Sequence, residues 1–479
     1  MMRTDDDDAE GGALMSLGDR LGRSLFVATA VGLAWGIRGD FGHSIGAMYP
    51  GAILALALAY VSGQRSLFLW TPILAALSAF GIGSGGTMSY GILHGYAQAD
   101  TLINYGYGFL TLFLQGGAWG TFGGALIGLI LERRPMRTSD WLGLLGSVFV
   151  GGWVVPFVVV DLIGFQINPP RNNSSIAFMG AAAGQLTWLA CNNRPSGLRG
   201  GVLGFVGFAL GMSAGRLLGN LSNMLQVPYG YTINHWNVME TSCGFIAGLI
   251  FAFGMLGRSY PEPPEDEKKN LDLASTYGIL FVLGFLPVWH RIARIVPKAK
   301  LAEWAKSLKE YGYADPEGEA RKILWLLDGL CVVGFIGAAI WLVIHFKRKQ
   351  KWSALPVFWL SGTMLLYQNV NALFFHYPMR MKYVNMHNVF WVFFGLMAVY
   401  AAIARPGSRP DVQAEPQETS PEPDRFAWGR WAVGALASLA LVVYLAGFVN
   451  KEQTMKTANT RWPIWTWSQG PFPGREAKP

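Results

Sequence analysis

The stretch Trp35–Gly51, W-G-I-R-G-D-F-G-H-S-I-G-A-M-Y-P-G, lies between two apolar runs and decides how the chain is read. A segment so placed caps the turn between two membrane helices. Gly36, Gly39, Gly42 and Gly46 interleave with Arg38, Asp40 and His43. Glycine accepts positive φ and lets backbones approach closely, whereas ionic groups at membrane depth are costly and usually have a purpose. Arg38 and His43 are separated by a spacing too irregular for one continuous helix face. The pattern predicts a broken helix end that aims both side chains into a shared cavity.

Working outward, apolar runs of spanning length fall at roughly 24–37, 47–63, 67–87, 107–131, 141–163, 176–191, 198–218, 237–257, 274–290, 323–346, 354–375, 386–404 and 427–449. A hydrocarbon core about 30 Å thick needs about 20 helical residues. The expected fold is therefore all-α: a polytopic integral membrane helical bundle of about thirteen transmembrane helices. Composition agrees. Of 479 residues, 52% are hydrophobic and only 14% charged, with a mean hydropathy of +0.29. A soluble chain carries about 25% charged residues. The net charge of +8 is spread over loops, and no soluble stretch mixes basic with aromatic residues, so no nucleic-acid partner is expected. Cys191, Cys243 and Cys331 lie in apolar runs and are expected to be free, buried thiols.

Basic residues give the orientation. Arg20 and Arg23 precede the first run, and Arg65, Arg133/Arg134/Arg137, Arg194/Arg199, Arg258/Lys268/Lys269 and Lys347–Lys349 follow even-numbered runs. All fall on one side, read as cytoplasmic, with the amino terminus there and the carboxyl terminus outside. The expected location is the inner (plasma) membrane of a bacterium. The acidic start, Asp5–Asp8, does not suit a cleavable signal.

Residues 1–18 read as a disordered acidic tail, and 20–258 as a Gly-rich domain. Gly46 and Gly51 before Arg65, Gly120/Gly124/Gly128 before Arg133, Gly180/Gly184 before Arg194 and Gly244/Gly248 before Arg258 suggest four repeated helix pairs. A polar linker at 259–270 leads to a second block at 271–404. Within it, 291–322 is basic yet falls on the outer side, against the bias of the other loops. Its Leu301, Trp304, Ala305 and Leu308 at helical spacing with lysines opposite suit a helix on the membrane surface or, equally, a solvated loop helix. The Pro- and Glu-rich 405–426 reads as a disordered cytoplasmic loop, and 427–479 as a last helix with a Trp-rich outer tail.

The ionisable groups gather at the helix ends opposite the basic loops. Candidate substrate-binding residues are Arg38, Asp40, His43, His94, Arg216, Glu240, His376, Arg380 and Lys382. Arginine and lysine beside histidine, framed by glycine and aromatic residues, suit an anionic head group or carboxylate. Arg216 follows a long apolar run and needs a partner inside the bundle; Glu240 and Asp161 are the candidates. No phosphate-binding loop, H-E-x-x-H or zinc spacing occurs, so no cofactor or metal is expected. Beyond the lipid bilayer, the expected partner is a small anionic or lipid-linked substrate. Three functions fit. The first is a transporter of a small polar or anionic solute, the second a membrane enzyme with an outward-facing site, and the third a structural or partner-binding subunit.

Overall fold

The computed structural model describes residues 15–88, 90–132, 134, 136–167, 174–229, 234–262, 268–286, 288–289, 298–347, 353–375, 386–404 and 428–452. The acidic start through residue 14, the 405–426 loop, the Trp-rich tail and the 376–382 segment lie outside them.

The first part of the chain forms α1 (Leu17–Ile37), α2 (His43–Ser62), α3 (Arg65–Gly85), the short α4 (Gly91–Tyr96) and α5 (Leu102–Ile130). Then follow α6 (Thr138–Pro156), α7 (Ser174–Cys191), α8 (Pro195–Tyr229) and α9 (His235–Met255). The remainder comprises α10 (Lys268–Ile279), α11 (Lys298–Glu310), α12 (Pro316–Cys331), α13 (Gly337–Lys347), α14 (Leu355–Phe375), α15 (Met386–Ala404) and α16 (Trp428–Val449). Every regular element among the described residues is helical. Eight helices or continuous helical stretches are long and apolar enough to cross a membrane, and they fit a membrane protein.

Six helices close a ring: α1 packs on α2, α2 on α3, α3 on α5, α5 on α8, α8 on α9, and α9 back on α1. Glycine makes the ring tight. A Cβ on Gly120, Gly124 or Gly128 of α5 would collide with the carbonyls of Gly204, Gly200 and Ser196 on α8, in antiparallel register. Gly211 and Gly215 of α8 meet Cys243 and Met239 of α9 in the same way, and Gly81 of α3 meets Gly123 of α5. Without a hydrophobic drive between helices in lipid, such close van der Waals contact is what holds them together. The pair α6–α7, joined through Gly151, Gly180 and Gly184, lies outside the ring against α5 and α8. Four helix pairs therefore do not occupy equivalent places.

Both ends of the ring carry arginines, with different tasks. At one end Arg20 Nε donates to the Phe253 carbonyl (2.5 Å), Arg199 Nη2 to Gly254 (2.6 Å) and Arg23 Nη1 to Val61 (2.6 Å). These carbonyls belong to the last turns of α9 and α2, the negative poles of their dipoles, so the arginines cap helix ends. The second block leans on α1, α2 and α3 through α10, α14 and α15. In α11 the apolar face (Trp304, Ala305, Leu308) is covered by protein rather than open. Cys243 and Cys331 are buried free thiols, as expected, but Cys191 is exposed because it is the last residue of α7.

Candidate functional site

At the opposite end α1 stops at Ile37, a 3₁₀ turn takes Arg38–Phe41, and Gly42 with φ +84° turns the chain into α2. A side chain at Gly42 would strain that left-handed backbone, so the glycine fixes the turn that delivers Arg38 inward. This is the broken helix end the spacing predicts. Arg38 is 1% exposed. Its Nη2 donates to the Tyr90 hydroxyl (2.5 Å) and to Glu240 Oε1 (3.0 Å), and Tyr90 donates to the same carboxylate oxygen (3.2 Å). Its Nε and Nη1 have no hydrogen-bond partner among the described residues.

Arg216 is fully buried. It lies 21 residues into α8, about 32 Å along the helix at 1.5 Å per residue, which brings it level with Arg38. Its Nε donates to Asn220 Oδ1 (2.7 Å), while Nη1 and Nη2 are buried with no partner among the described residues. The guanidinium stands 5.8 Å from the Trp236 ring.

Between the two arginines lies His94 of α4, 1% exposed, edge-on to Tyr90 (5.0 Å) and Trp236 (5.1 Å). Both its ring nitrogens lack a partner among the described residues. Burial, and after it the charges of Arg216, Arg38 and His235, holds its pKa well below the ordinary histidine value. The imidazole is therefore neutral at physiological pH, with one nitrogen free to accept and the other to donate. His43 is exposed at the rim, edge-on to Tyr90 (5.3 Å). Asp40 is half-buried beside it, and half-buried His235 lies against Trp236 (5.7 Å).

The centre has an aromatic floor. Trp35 meets Trp119 (5.4 Å) and Phe208 (5.0 Å) edge-on, and all three are buried. The Arg38 guanidinium rests 4.7 Å from the Trp35 ring and 5.3 Å from Trp119, a cation–π seat. Beneath, Ala209, Cys243 and Ala247 continue the packed interior.

The structure thus brings together Arg38, His94, Arg216 and Glu240 from four places in the sequence, with His43 and Asp40 at the rim. His376, Arg380 and Lys382 fall outside the described residues. The partnership read for Arg216 is corrected: Glu240 pairs with Arg38 at 3.0 Å, Arg216 bonds Asn220, and Asp161 is exposed on a π-helical turn outside the ring. Sequence reasoning missed Tyr90, Trp236 and Asn450. Tyr90 precedes His94 by one helical turn in a Gly-rich loop, the signal that was there to find. Asn450, which donates to the Ala97 and Ala99 carbonyls and accepts from Asn220, has no sequence signal of its position. No group of three or more histidine, cysteine or carboxylate side chains suited to a metal occurs among the described residues.

Fold and site together define a helical membrane-type bundle with a buried, cation-rich centre at one end of a six-helix ring. No family model, curated protein or solved structure matches the chain.

Proposed function

We propose that this is an integral membrane protein whose ring mouth captures the anionic group of a small or lipid-linked substrate. The observation that carries the reading is the pair of buried guanidinium groups on either side of neutral His94, each with N–H groups that have no partner among the described residues. A buried cation is stabilised by a fully bonded counter-charge, and planar guanidinium N–H groups match carboxylate and phosphate oxygens bidentately. His94 supplies a neutral acid–base group beside the bound anion.

Several features support an outward-facing site. Arg20, Arg23, Arg65, Arg134, Arg194 and Arg258 lie at the far end of the ring, which the positive-inside bias makes cytoplasmic. Adding α1, α7, α10 with its π-helical continuation, α14 and α15 to the eight apolar stretches gives thirteen spans, with the carboxyl terminus outside. The floor of Trp35, Trp119 and Phe208 favours work at one face, as in an enzyme or receptor. Solute transport requires those three rings to part, and counterflow of labelled phosphate in proteoliposomes reads that directly.

The test combines orientation and anion. Gly39 is exposed, and a Cβ there meets only Glu240 Oε2 at 3.8 Å. In a Cys191→Ser background, Gly39→Cys should react with an impermeant maleimide in intact cells, and phosphate should slow the reaction unless Arg216→Lys is also present. Arg134→Cys should react only after permeabilisation. Reaction at position 39 only after permeabilisation, or at a rate indifferent to phosphate, sinks the reading.

A further inference from the structure

The mouth is joined to an apolar groove on the outside of the ring. α16 packs over α5 and α8 and leaves a cleft of about 610 Å³ against α5. Its walls are Leu102 and Tyr105 of α5 and Leu436, Leu439, Val443 and Phe448 of α16. Gly447 keeps it open at the upper end, where a Cβ would come within 2.8 Å of the Tyr105 hydroxyl. From Leu436 to Phe448 the helix rises about 18 Å, close to the depth of one leaflet of a core about 30 Å thick. The groove therefore occupies a single leaflet, the one at the end that holds Arg38 and Arg216.

At the top of the groove stands exposed Lys451, and one residue away Asn450 is fully buried. Asn220 donates from Nδ2 to Asn450 Oδ1 (2.8 Å) and accepts from Arg216 Nε (2.7 Å). A polar relay thus runs from the head of an apolar, leaflet-deep groove to a buried guanidinium whose Nη1 and Nη2 have no partner among the described residues. An apolar wall ending in cations is complementary to one kind of occupant, a hydrocarbon chain ending in an anion.

Resting on the reading of the ring mouth as an anion site, we propose that the substrate is a lipid phosphate. Its chain lies in the α5–α16 groove and its head group passes Lys451 to the Arg216 side of the mouth. Asn220 and Asn450 are positioning residues: they hold Arg216 and the end of α16 in register and do not touch the reacting atoms. Free phosphate would use the mouth alone and ignore the groove.

The experiment uses the full chain in nonionic maltoside micelles and measures the concentration that gives half-maximal thermal stabilisation. The probes are dodecyl phosphate and inorganic phosphate. Wild type should respond to dodecyl phosphate at a concentration at least about tenfold lower, since burial of even a few methylenes is worth that much. Ala440→Trp, at an exposed groove position, should abolish the chain's advantage and leave the response to inorganic phosphate intact; Ala440→Leu should reduce it partly. Arg216→Lys should weaken both ligands. Inorganic phosphate binding with no chain advantage, or an advantage untouched by Ala440→Trp, overturns the groove but not the anion site. Failure of both probes on wild type overturns the anion site and the groove with it. An intermolecular disulfide formed readily by Ala440→Cys in a Cys191→Ser background would assign the groove to a second copy of the chain and likewise overturn the proposal.

Discussion

Arg216 and Arg38 carry the same charge and are buried equally, yet they are held differently. Arg38 is bonded through Nη2 to Tyr90 and Glu240 and seated on indole faces, whereas among the described residues Arg216 has a single neutral hydrogen-bond partner, Asn220. Arg38 is thus the fixed wall of the centre and Arg216 the group with most hydrogen-bonding capacity to offer a ligand. His94 feels both, and its pH behaviour follows. Folding lowers its pKa beneath the unfolded value of about 6.5, so below that pH the unfolded chain binds more protons than the folded one. Stability is then full above about 6.5 and falls as pH drops towards the folded pKa. Melting of the purified protein between about pH 7.5 and about pH 5.5 should show this fall, and His94→Gln should flatten it. A slope unchanged by the substitution would place the titration elsewhere. Residue types were legible in the sequence, because arginine and histidine framed by glycine and aromatic residues, as in R-G-D-F-G-H, imply tight packing rather than a solvated loop. Their pairing was not. Glu240 is 202 positions from Arg38, and nothing local in either segment says which arginine it meets.

Elements were read better than pairs. Each apolar run overlaps a helix, and eight helical stretches among the described residues are long and apolar enough to cross a membrane. The turn at Gly42 was legible because only the glycines of R-G-D-F-G-H permit so tight a reversal. The face on which helices meet was partly visible in Gly120, Gly124 and Gly128, which recur every four residues and do point at a neighbour. That the neighbour is α8, rather than a helix adjacent in sequence, was not visible: small-residue stripes fit any other small-residue stripe. Gly124→Leu should drive a side chain into the Gly200 carbonyl and the Phe251 ring. Overpacking of that kind costs about 1–3 kcal/mol, more where backbone is struck. The variant should melt several degrees lower in detergent or fail to accumulate. Gly146→Leu, on a face of α6 with nothing within 4 Å, should melt like wild type. Equal melting of Gly124→Leu and wild type would mean that α5 and α8 are not in backbone contact.

At the scale of the whole molecule the ring explains why the centre is where it is. Antiparallel closure places the ends of α1, α3 and α8 beside the starts of α2, α5 and α9, so one mouth collects a polar segment from each. The second block bears on that mouth through aromatic contacts. Phe41, in the turn that carries Arg38, packs on Phe335 (5.4 Å) and Tyr367 (4.6 Å) of that block as well as on Tyr49 of α2 (5.3 Å). No sequence pattern announced the ring, because ring closure between α9 and α1 is a contact between segments some two hundred residues apart. The most direct measurement is anomalous diffraction from crystals of the full chain soaked in arsenate, a phosphate analogue whose scattering marks its own position. The account predicts a peak within hydrogen-bond distance of Arg216 Nη1 or Nη2, on the same side as His94, and its loss in Arg216→Lys. A map with no peak in the ring mouth, and with both Nη atoms bonded to a protein carboxylate, would contradict it.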